Sequence, residues 1–142
     1  IKGRKYIDTP QKYYFEDLGL RNARIGFRQV EETHLMENLI YNELRIRGYL
    51  VDVGVVPTRV KDADGAYRRS QFVCNRGSER VYVQSAYRLP TEEKRKQEMA
   101  SLLKIDDSFR KIIITEDLIK RHMDENGVEW VNVYDFLKSE EL

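Results

Sequence analysis

Apolar residues recur at helical and strand spacing along most of the chain. Residues 33–47 repeat them every third or fourth position and Gly48 follows, which predicts a helix that ends there. Its buried stripe is predicted to contain Met36, Ile40 and Leu44, with Leu35, Leu39 and Ile46 beside it. Residues 50–56 are β-branched and alternate, and 67–75 and 80–87 are strand patterns joined by a tight connection at Gly77. These three segments predict a three-stranded meander.

A second helix and a further strand are predicted after the meander. Pro90 breaks the strand pattern, and Thr91 can cap a helix that begins with two glutamates. The buried stripe of this helix is predicted to contain Met99, Leu102 and Leu103. Further along, the patterns predict a strand at 111–115, a helix at 116–124, a strand at 128–131 and a terminal segment that ends in 134–137. The predicted order is helix, three-stranded meander, helix and strand, an α/β arrangement.

The first thirty residues have a different character. The opening segment is polar, is interrupted by Gly3 and Pro10, and starts at Ile1 without an initiator methionine. Short aromatic stretches at 6–7 and 12–15 have strand character, and a turn is predicted at 17–20. We interpret 1–30 as a lead-in or linker from an upstream module and 31–142 as one domain, because 142 residues are too few for two well-cored domains.

Composition narrows the function classes. Apolar residues make up 41% of the chain and charged residues 35%, which is typical of a globular domain. Lys and Arg number 25 against 24 Asp and Glu, so no overall positive field favours nucleic acid or anionic membrane. The chain has one cysteine and no long apolar run, and we therefore expect no membrane partner and a cytoplasmic location.

Several segments of the chain resemble a known family. KYYFEDLGLRNA, HLMENLIYNELRIRGYLVDVG, VYVQSAYRLP and EMASLLKIDDSFRKIIITED resemble the uncharacterised C-terminal domain of a large prokaryotic family of AAA-type P-loop ATPases, found also in archaea. The most specific parts are ENLIYNEL at 37–44 and VYVQSAY at 81–87. The resemblance implies a restriction-endonuclease-like, PD-(D/E)XK core and an ATP-binding module in the parent protein. No GxxxxGK[ST] phosphate loop occurs in these 142 residues, so we expect the ATPase module upstream of them.

The resemblance also implies where a nuclease site would lie. Active members of this fold carry an acid on the second core strand, an acid two residues before a lysine on the third, and often a glutamate from the first helix. Here those positions are Gln71, Gln84, Ala86 and Glu37. Carboxylates hold the Mg²⁺ ions that activate water, and a unit charge about 4 Å from another contributes roughly 4 kcal/mol at an effective dielectric constant of 20. We therefore expect a degenerate site without metal, cofactor or catalytic residue, in which these positions converge near the first half of helix 33–47.

Other candidate chemistry is weaker. Asp62 and Asp64 resemble the opening of a calcium loop, but position 12 of that loop is Val73, so an Asp-Gly turn is the preferred interpretation. His34 and His122 have no Cys or His neighbours at zinc spacing and are interpreted as surface or helix-end residues. Cys74 lies in a strand pattern and is interpreted as a small buried hydrophobic residue.

A cluster of basic residues within the meander supports an alternative. It comprises Arg59, Lys61, Arg68, Arg69, Arg76, Arg80 and Arg88, interleaved with Tyr67, Tyr82 and Tyr87. Basic and aromatic side chains together can bind nucleic acid, with Arg68, Arg69 and Arg80 as candidate contacts. The other interpretation is a solvated sheet edge whose charges discourage strand addition.

The sequence therefore predicts a C-terminal partner-recognition domain of a P-loop ATPase, with a non-catalytic nuclease-like fold. We expect it to bind the upstream ATPase module and a protein partner and not to be an enzyme by itself. The alternatives are a nucleic-acid-binding domain and a metal-dependent DNA nuclease of the PD-(D/E)XK class.

Overall fold

A computed structural model describes residues 12–28, 31–57 and 68–142, with the backbone alone at 55–57 and 68–70. These residues form four helices: α1 (Leu18–Arg24), α2 (Glu32–Ile46), α3 (Glu92–Leu103) and α4 (Val133–Lys138). They form six strands: β1 (Leu50–Pro57), β2 (Arg68–Arg76), β3 (Glu79–Ala86), β4 (Arg110–Thr115), β5 (His122–Met123) and β6 (Val128–Asn132). The prediction of a mixed α/β fold is confirmed.

All six strands belong to one sheet, in the order β1-β2-β3-β4-β6-β5. The first three strands are antiparallel neighbours, as the predicted meander requires. Strand β4 then pairs parallel to β3, and α3 makes the crossover between them. Strand β6 continues the parallel part, and the two-residue β5 closes that edge in antiparallel pairing.

Both faces of the sheet are covered, and each face has its own apolar core. Met36, Ile40 and Leu44 of α2 pack on one face together with Phe72 and Cys74. The other core joins Leu102 of α3 to side chains that include Tyr82, Ile113 and Trp130. Successive side chains of a strand point to opposite faces, so Gln71 and Val73 lie on the α3 side while Phe72 lies on the α2 side.

Helix α2 confirms the predicted helix to within one residue at each end. Met36, Ile40 and Leu44 are buried as predicted, and Gly48 follows with a φ of +83° that glycine adopts without strain. Ile46 is 79% exposed, so its predicted place beside the buried stripe was wrong. Asn38, which the apolar pattern left out, is buried.

The buried face of α3 differs from the prediction. Thr91 caps the helix as expected, accepting a hydrogen bond from the Lys94 N–H at 3.2 Å. Glu98, Ser101 and Leu102 are its buried residues, whereas Leu103 is 42% exposed. Of the predicted stripe, Leu102 is buried and Met99 packs against the same core, and only Leu103 was wrong; the polar Glu98 and Ser101 complete the buried face.

The helix predicted at 116–124 does not form. Its first residues are irregular and its last ones contain β5. A side chain from later in the chain forms hydrogen bonds with backbone carbonyl groups that a helix would use. Asn132 donates through Nδ2 to the carbonyl oxygens of Glu116, at 3.1 Å, and Asp117, at 2.7 Å. Asp117 in turn accepts the Leu89 N–H at 2.9 Å.

The turn predicted at 17–20 is a helix start instead. Asp17 accepts the Leu20 N–H at 2.9 Å and thereby caps α1. Within the described residues, no helix combines the length and the apolar character that crossing a bilayer requires.

Candidate functional site

Four polar side chains form a closed cluster between the sheet and α3. Gln71 of β2 donates through Nε2 to Gln84 Oε1 at 3.2 Å and to Ser101 Oγ at 3.0 Å. Ser101 lies 2.7 Å from Gln84 Oε1 and 2.8 Å from the carbonyl oxygen of Glu98, and its one hydroxyl proton can be donated to either. Gln84 donates its own amide to Glu98 Oε2. We call these four residues the amide cluster.

The sheet and the helix place the amide cluster by simple periodicity. Phe72 pairs with Val83 across β2 and β3, so Gln71 and Gln84 are the next residues along each strand and meet side chain to side chain. Glu98 and Ser101 are one turn apart on α3 and therefore point the same way. The predicted convergence of Gln71 and Gln84 on adjacent strands is confirmed.

The amide cluster is sealed from solvent. Gln71, Gln84, Glu98 and Ser101 are each at most 3% exposed. Gln71 Oε1 is buried and has no hydrogen-bond partner among the described residues. An unmatched buried acceptor costs about 1–3 kcal/mol, and a cation would relieve that cost. The described residues nevertheless contain no group of three or more His, Cys, Asp or Glu side chains that could hold a metal ion.

The cluster lies on the opposite face of the sheet from the one we predicted. Gln71, Gln84 and Ala86 were expected near the first half of the helix at 33–47, together with Glu37. In the structure Gln71 and Gln84 contact α3, and Ala86 belongs to the same core. The expected position of these residues beside α2 was therefore wrong. The reason is local: α3 contributes Ser101 and Glu98 as hydrogen-bonding partners, while α2 presents apolar residues to the sheet.

Glu37 has a different role in the structure. Its carboxylate accepts the Tyr14 hydroxyl at 2.8 Å and the Lys12 ammonium at 3.0 Å. The Tyr14 ring stacks on Tyr41 of α2, with ring centroids 4.2 Å apart, and meets Phe72 edge to face. Burial raises the pKa of Tyr14, and the adjacent Glu37 carboxylate raises it further. Glu37 therefore anchors the chain that precedes α1.

The main chain of the same segment is held by two amides of α2. Asn38 accepts the Phe15 N–H at 2.8 Å and donates to the Phe15 carbonyl oxygen at 2.8 Å, which reproduces the pairing of a β-ladder. Asn42 donates to the carbonyl oxygens of Phe15, at 2.8 Å, and Glu16, at 3.1 Å. Three polar residues of the ENLIYNEL segment, Glu37, Asn38 and Asn42, thus bind residues 12–16, and its Ile40 and Leu44 enter the core.

The described arginines of the predicted basic cluster are each engaged within the domain. Arg76 pairs with Glu79 at 3.2 Å and lies over the Tyr49 ring. Arg88 pairs with Glu116 at 3.1 Å. Arg80 donates to Asn75 at 2.8 Å and lies 5.4 Å from the centroid of the Phe109 ring. Arg59, Lys61 and Tyr67 lie outside the described residues, as do the side chains of Arg68 and Arg69.

A cavity of about 300 Å³ opens on the α3 side of the sheet. Its apolar lining consists of Leu89, Met99, Ile119 and Trp130. Its charged lining consists of Glu92, Asp117, Asp124, Glu125, Arg95 and Lys96, so the acids exceed the bases by two with His122 counted as neutral. The Trp130 indole donates to Asp124 at 2.9 Å, and the His122 ring stacks parallel to it with centroids 6.4 Å apart. We call this the Trp130 cavity.

The remaining candidates behave as structural residues. Cys74 is fully buried, and its burial together with Asp52 and Glu79 raises the pKa of its thiol to about 12. Its prediction as a buried apolar residue is confirmed. His34 lies 3.2 Å from Glu31 on the surface, as predicted. Asp62 and Asp64 lie outside the described residues.

Glu98 and Ser101 are the site residues that sequence reasoning missed. Both are polar types that are usually exposed, and both lie in a helix with many charged residues. One signal was available: they are spaced i and i+3, and Leu102 follows directly on the same side. Their partners are glutamines on strands, so neither half of the cluster is conspicuous without the other.

Comparison with known proteins gives a match to a bacterial protein. The chain is 33% identical over 137 residues to an uncharacterised protein of Haemophilus influenzae, and the match covers 96% of this chain. It covers 31% of that relative, so about two thirds of the relative lies outside the matched region. No protein-family model matches the sequence. No solved structure gives a significant match.

The amide cluster should contribute measurably to stability. Replacing Gln84 with Ala removes one hydrogen bond each from Gln71, Ser101 and Glu98 and leaves a void. We expect the free energy of unfolding to fall by about 2–4 kcal/mol, as for buried polar groups that lose partners. Gln97, which is exposed on α3, is the matched control. Gln97→Ala should change the free energy of unfolding by less than about 0.5 kcal/mol. Urea unfolding followed by circular dichroism measures both; equal effects would show that the cluster is energetically neutral.

Proposed function

We propose that these 142 residues form a non-catalytic partner-recognition module of restriction-endonuclease-like fold, within a longer cytoplasmic polypeptide that also contains a P-loop ATPase. The observation that carries the proposal is the amide cluster. At the two strand positions where a nuclease of this fold holds metal-binding acids, the chain has amides that are buried and bonded to each other beneath α3.

The arrangement of the sheet supports the fold part of the proposal. A helix, an antiparallel meander, a crossover helix and a strand parallel to the third strand follow one another, with the two main helices on opposite faces. The resemblance assigned a nuclease-like core to this order. The place of Glu37 differs from that pattern, since it binds the segment 12–16 and lies away from Gln71 and Gln84.

Electrostatics supports the non-catalytic part. Two-metal or one-metal hydrolysis needs carboxylates at a site that water and a phosphate can enter. Gln71 and Gln84 bring no net charge, Ala86 brings no lysine, and Glu98 is only 3% exposed. A DNA backbone could not reach this place without removal of α3, whose Leu102 is fully buried.

The comparison supports a place within a longer protein. The Haemophilus relative extends well beyond the matched region, as expected for a module with a partner domain in the same chain. Large apolar side chains that stay exposed, among them Leu20 at 70%, Phe27 at 71% and Leu118 at 90%, are available for binding another protein. The described arginines of the meander already have partners inside the domain, which favours a protein partner over nucleic acid.

The non-catalytic assignment predicts intact DNA. Incubated for hours with Mg²⁺ or Mn²⁺, the protein should leave supercoiled, linear and single-stranded DNA uncut. Gel electrophoresis measures this. The variants Glu37→Ala and Glu98→Gln test the acidic residue of α2 and that of α3 separately. If the protein nicks DNA and either substitution abolishes the nicking, the proposal is wrong and the domain is a nuclease. The triple change Gln71→Asp, Gln84→Glu and Ala86→Lys should restore partial activity at most, because the positioning of the surrounding groups is also required.

Binding of nucleic acid should be weak and non-specific. We expect a dissociation constant no tighter than about 10⁻⁴ to 10⁻⁶ M, the ordinary non-specific range. The measurement is fluorescence anisotropy with labelled DNA and RNA from about 50 to 200 mM salt. The triple variant carries Arg68→Ala, Arg69→Ala and Arg80→Ala. If sub-micromolar, strongly salt-dependent binding is lost in this variant, nucleic acid is the partner. Lys94→Ala and Lys96→Ala on α3 are the control for simple loss of positive charge.

A further inference from the structure

The turn after α1 presents an aromatic side chain in a strained conformation. Phe27 has a φ of +54°, and Gly26 before it has a φ of +65°. The Phe27 N–H donates to the Asn22 carbonyl oxygen at 2.8 Å, which fixes the turn. A bulky residue rarely adopts a positive φ, and such strain accumulates at functional positions. The Phe27 side chain is nevertheless 71% exposed, so burial within the chain does not compensate for the strain.

The segment that carries Phe27 is basic between its flanking acids, Asp17 and Glu31. Residues 18–28 contain Arg21, Arg24 and Arg28 and no acidic residue. Leu20 is 70% exposed, and α1 has no buried residue. A seven-residue helix is marginal by itself, but its chain is fixed on one side by the hydrogen bonds of Asn38 and Asn42 to residues 15 and 16. We call residues 24–28 the Phe27 tip.

The Trp130 cavity has the complementary chemistry. Its volume of about 300 Å³ is at the lower limit for small-molecule pockets and is suited to one large side chain. Trp130, Met99 and Ile119 supply apolar and aromatic walls. The charged lining has two more acids than bases, whereas the tip and α1 carry only arginines.

We propose that the Phe27 tip of one copy of this chain inserts into the Trp130 cavity of a second copy, with Arg24 and Arg28 facing the acidic rim. The contact joins two different surfaces of identical molecules, so it propagates head to tail until a ring or a short filament forms. It uses the exposed Phe27 that the proposed function offers to a partner, but neither surface includes the amide cluster, so DNA cleavage would overturn the proposed function and leave this contact untouched.

The experiment uses sedimentation velocity and two-dimensional NMR on the 142-residue chain at increasing concentration. We expect weak association, with a dissociation constant on the order of 10⁻⁴ M, and concentration-dependent shifts at both the tip and the cavity. Phe27→Asn removes the ring and puts asparagine, which tolerates a positive φ, at this position. The variant should therefore fold normally. Glu92→Lys with Glu125→Lys reverses two exposed rim charges. Each variant should weaken self-association at least about tenfold, which corresponds to 1.4 kcal/mol.

Mixing the two variants gives the decisive result. The Phe27→Asn variant keeps an intact cavity, and the variant with Glu92→Lys and Glu125→Lys keeps an intact tip. The tip of the second variant can therefore enter the cavity of the first, and no further molecule can be added. We expect a mixture of two monomeric variants to yield a 1:1 dimer. Ile46→Asn, which removes an aliphatic side chain that is 79% exposed on α2, should associate like the unmodified chain. A chain that stays monomeric to about 1 mM, or a mixture without the dimer, overturns the proposal.

Discussion

The pairing of β2 with β3 decides which side chains lie beneath each helix, and the rest of the structure depends on it. With Phe72 opposite Val83, every second side chain of both strands enters the α2 core and the others face α3. A shift of one residue would reverse the faces of one strand and place either Gln71 or Gln84 among Met36, Ile40 and Leu44. The buried amides therefore require a helix with polar partners above them, and Glu98 and Ser101 make α3 that helix.

The neutral side chains at 71 and 84 are what the proposed non-catalytic role rests on. A buried carboxylate is tolerated only when charges or hydrogen bonds compensate for its loss of water. Two acids at 71 and 84 beside Glu98 would repel one another and would need a cation, as in a metal site. Amides satisfy the same geometry without a cation, and they leave one acceptor, Gln71 Oε1, unmatched.

Sequence reasoning identified the regular elements well where local patterns were sufficient. The period of α2, the capping Thr91 and the alternation of β1–β3 need no distant partner, and all three were predicted within a few residues. The segment 116–124 was mispredicted because its backbone is bound by Asn132, a residue that comes later in the chain. The meeting of Gln71 with Gln84 was expected from the resemblance, but the helix above them was assigned wrongly, since Glu98 and Ser101 resemble surface residues until the fold is known.

The most direct test of a closed, metal-free cluster is paramagnetic NMR on the side-chain amides of Gln71 and Gln84, with Mn²⁺ as the probe. Our account predicts that both amide signals persist, exchange slowly with solvent and keep their linewidths as Mn²⁺ rises to millimolar concentration. The exposed Gln97 amide reports any non-specific broadening. Saturable broadening of the Gln71 and Gln84 signals at low Mn²⁺, absent in Glu98→Gln, would contradict the account and show a working metal site under α3.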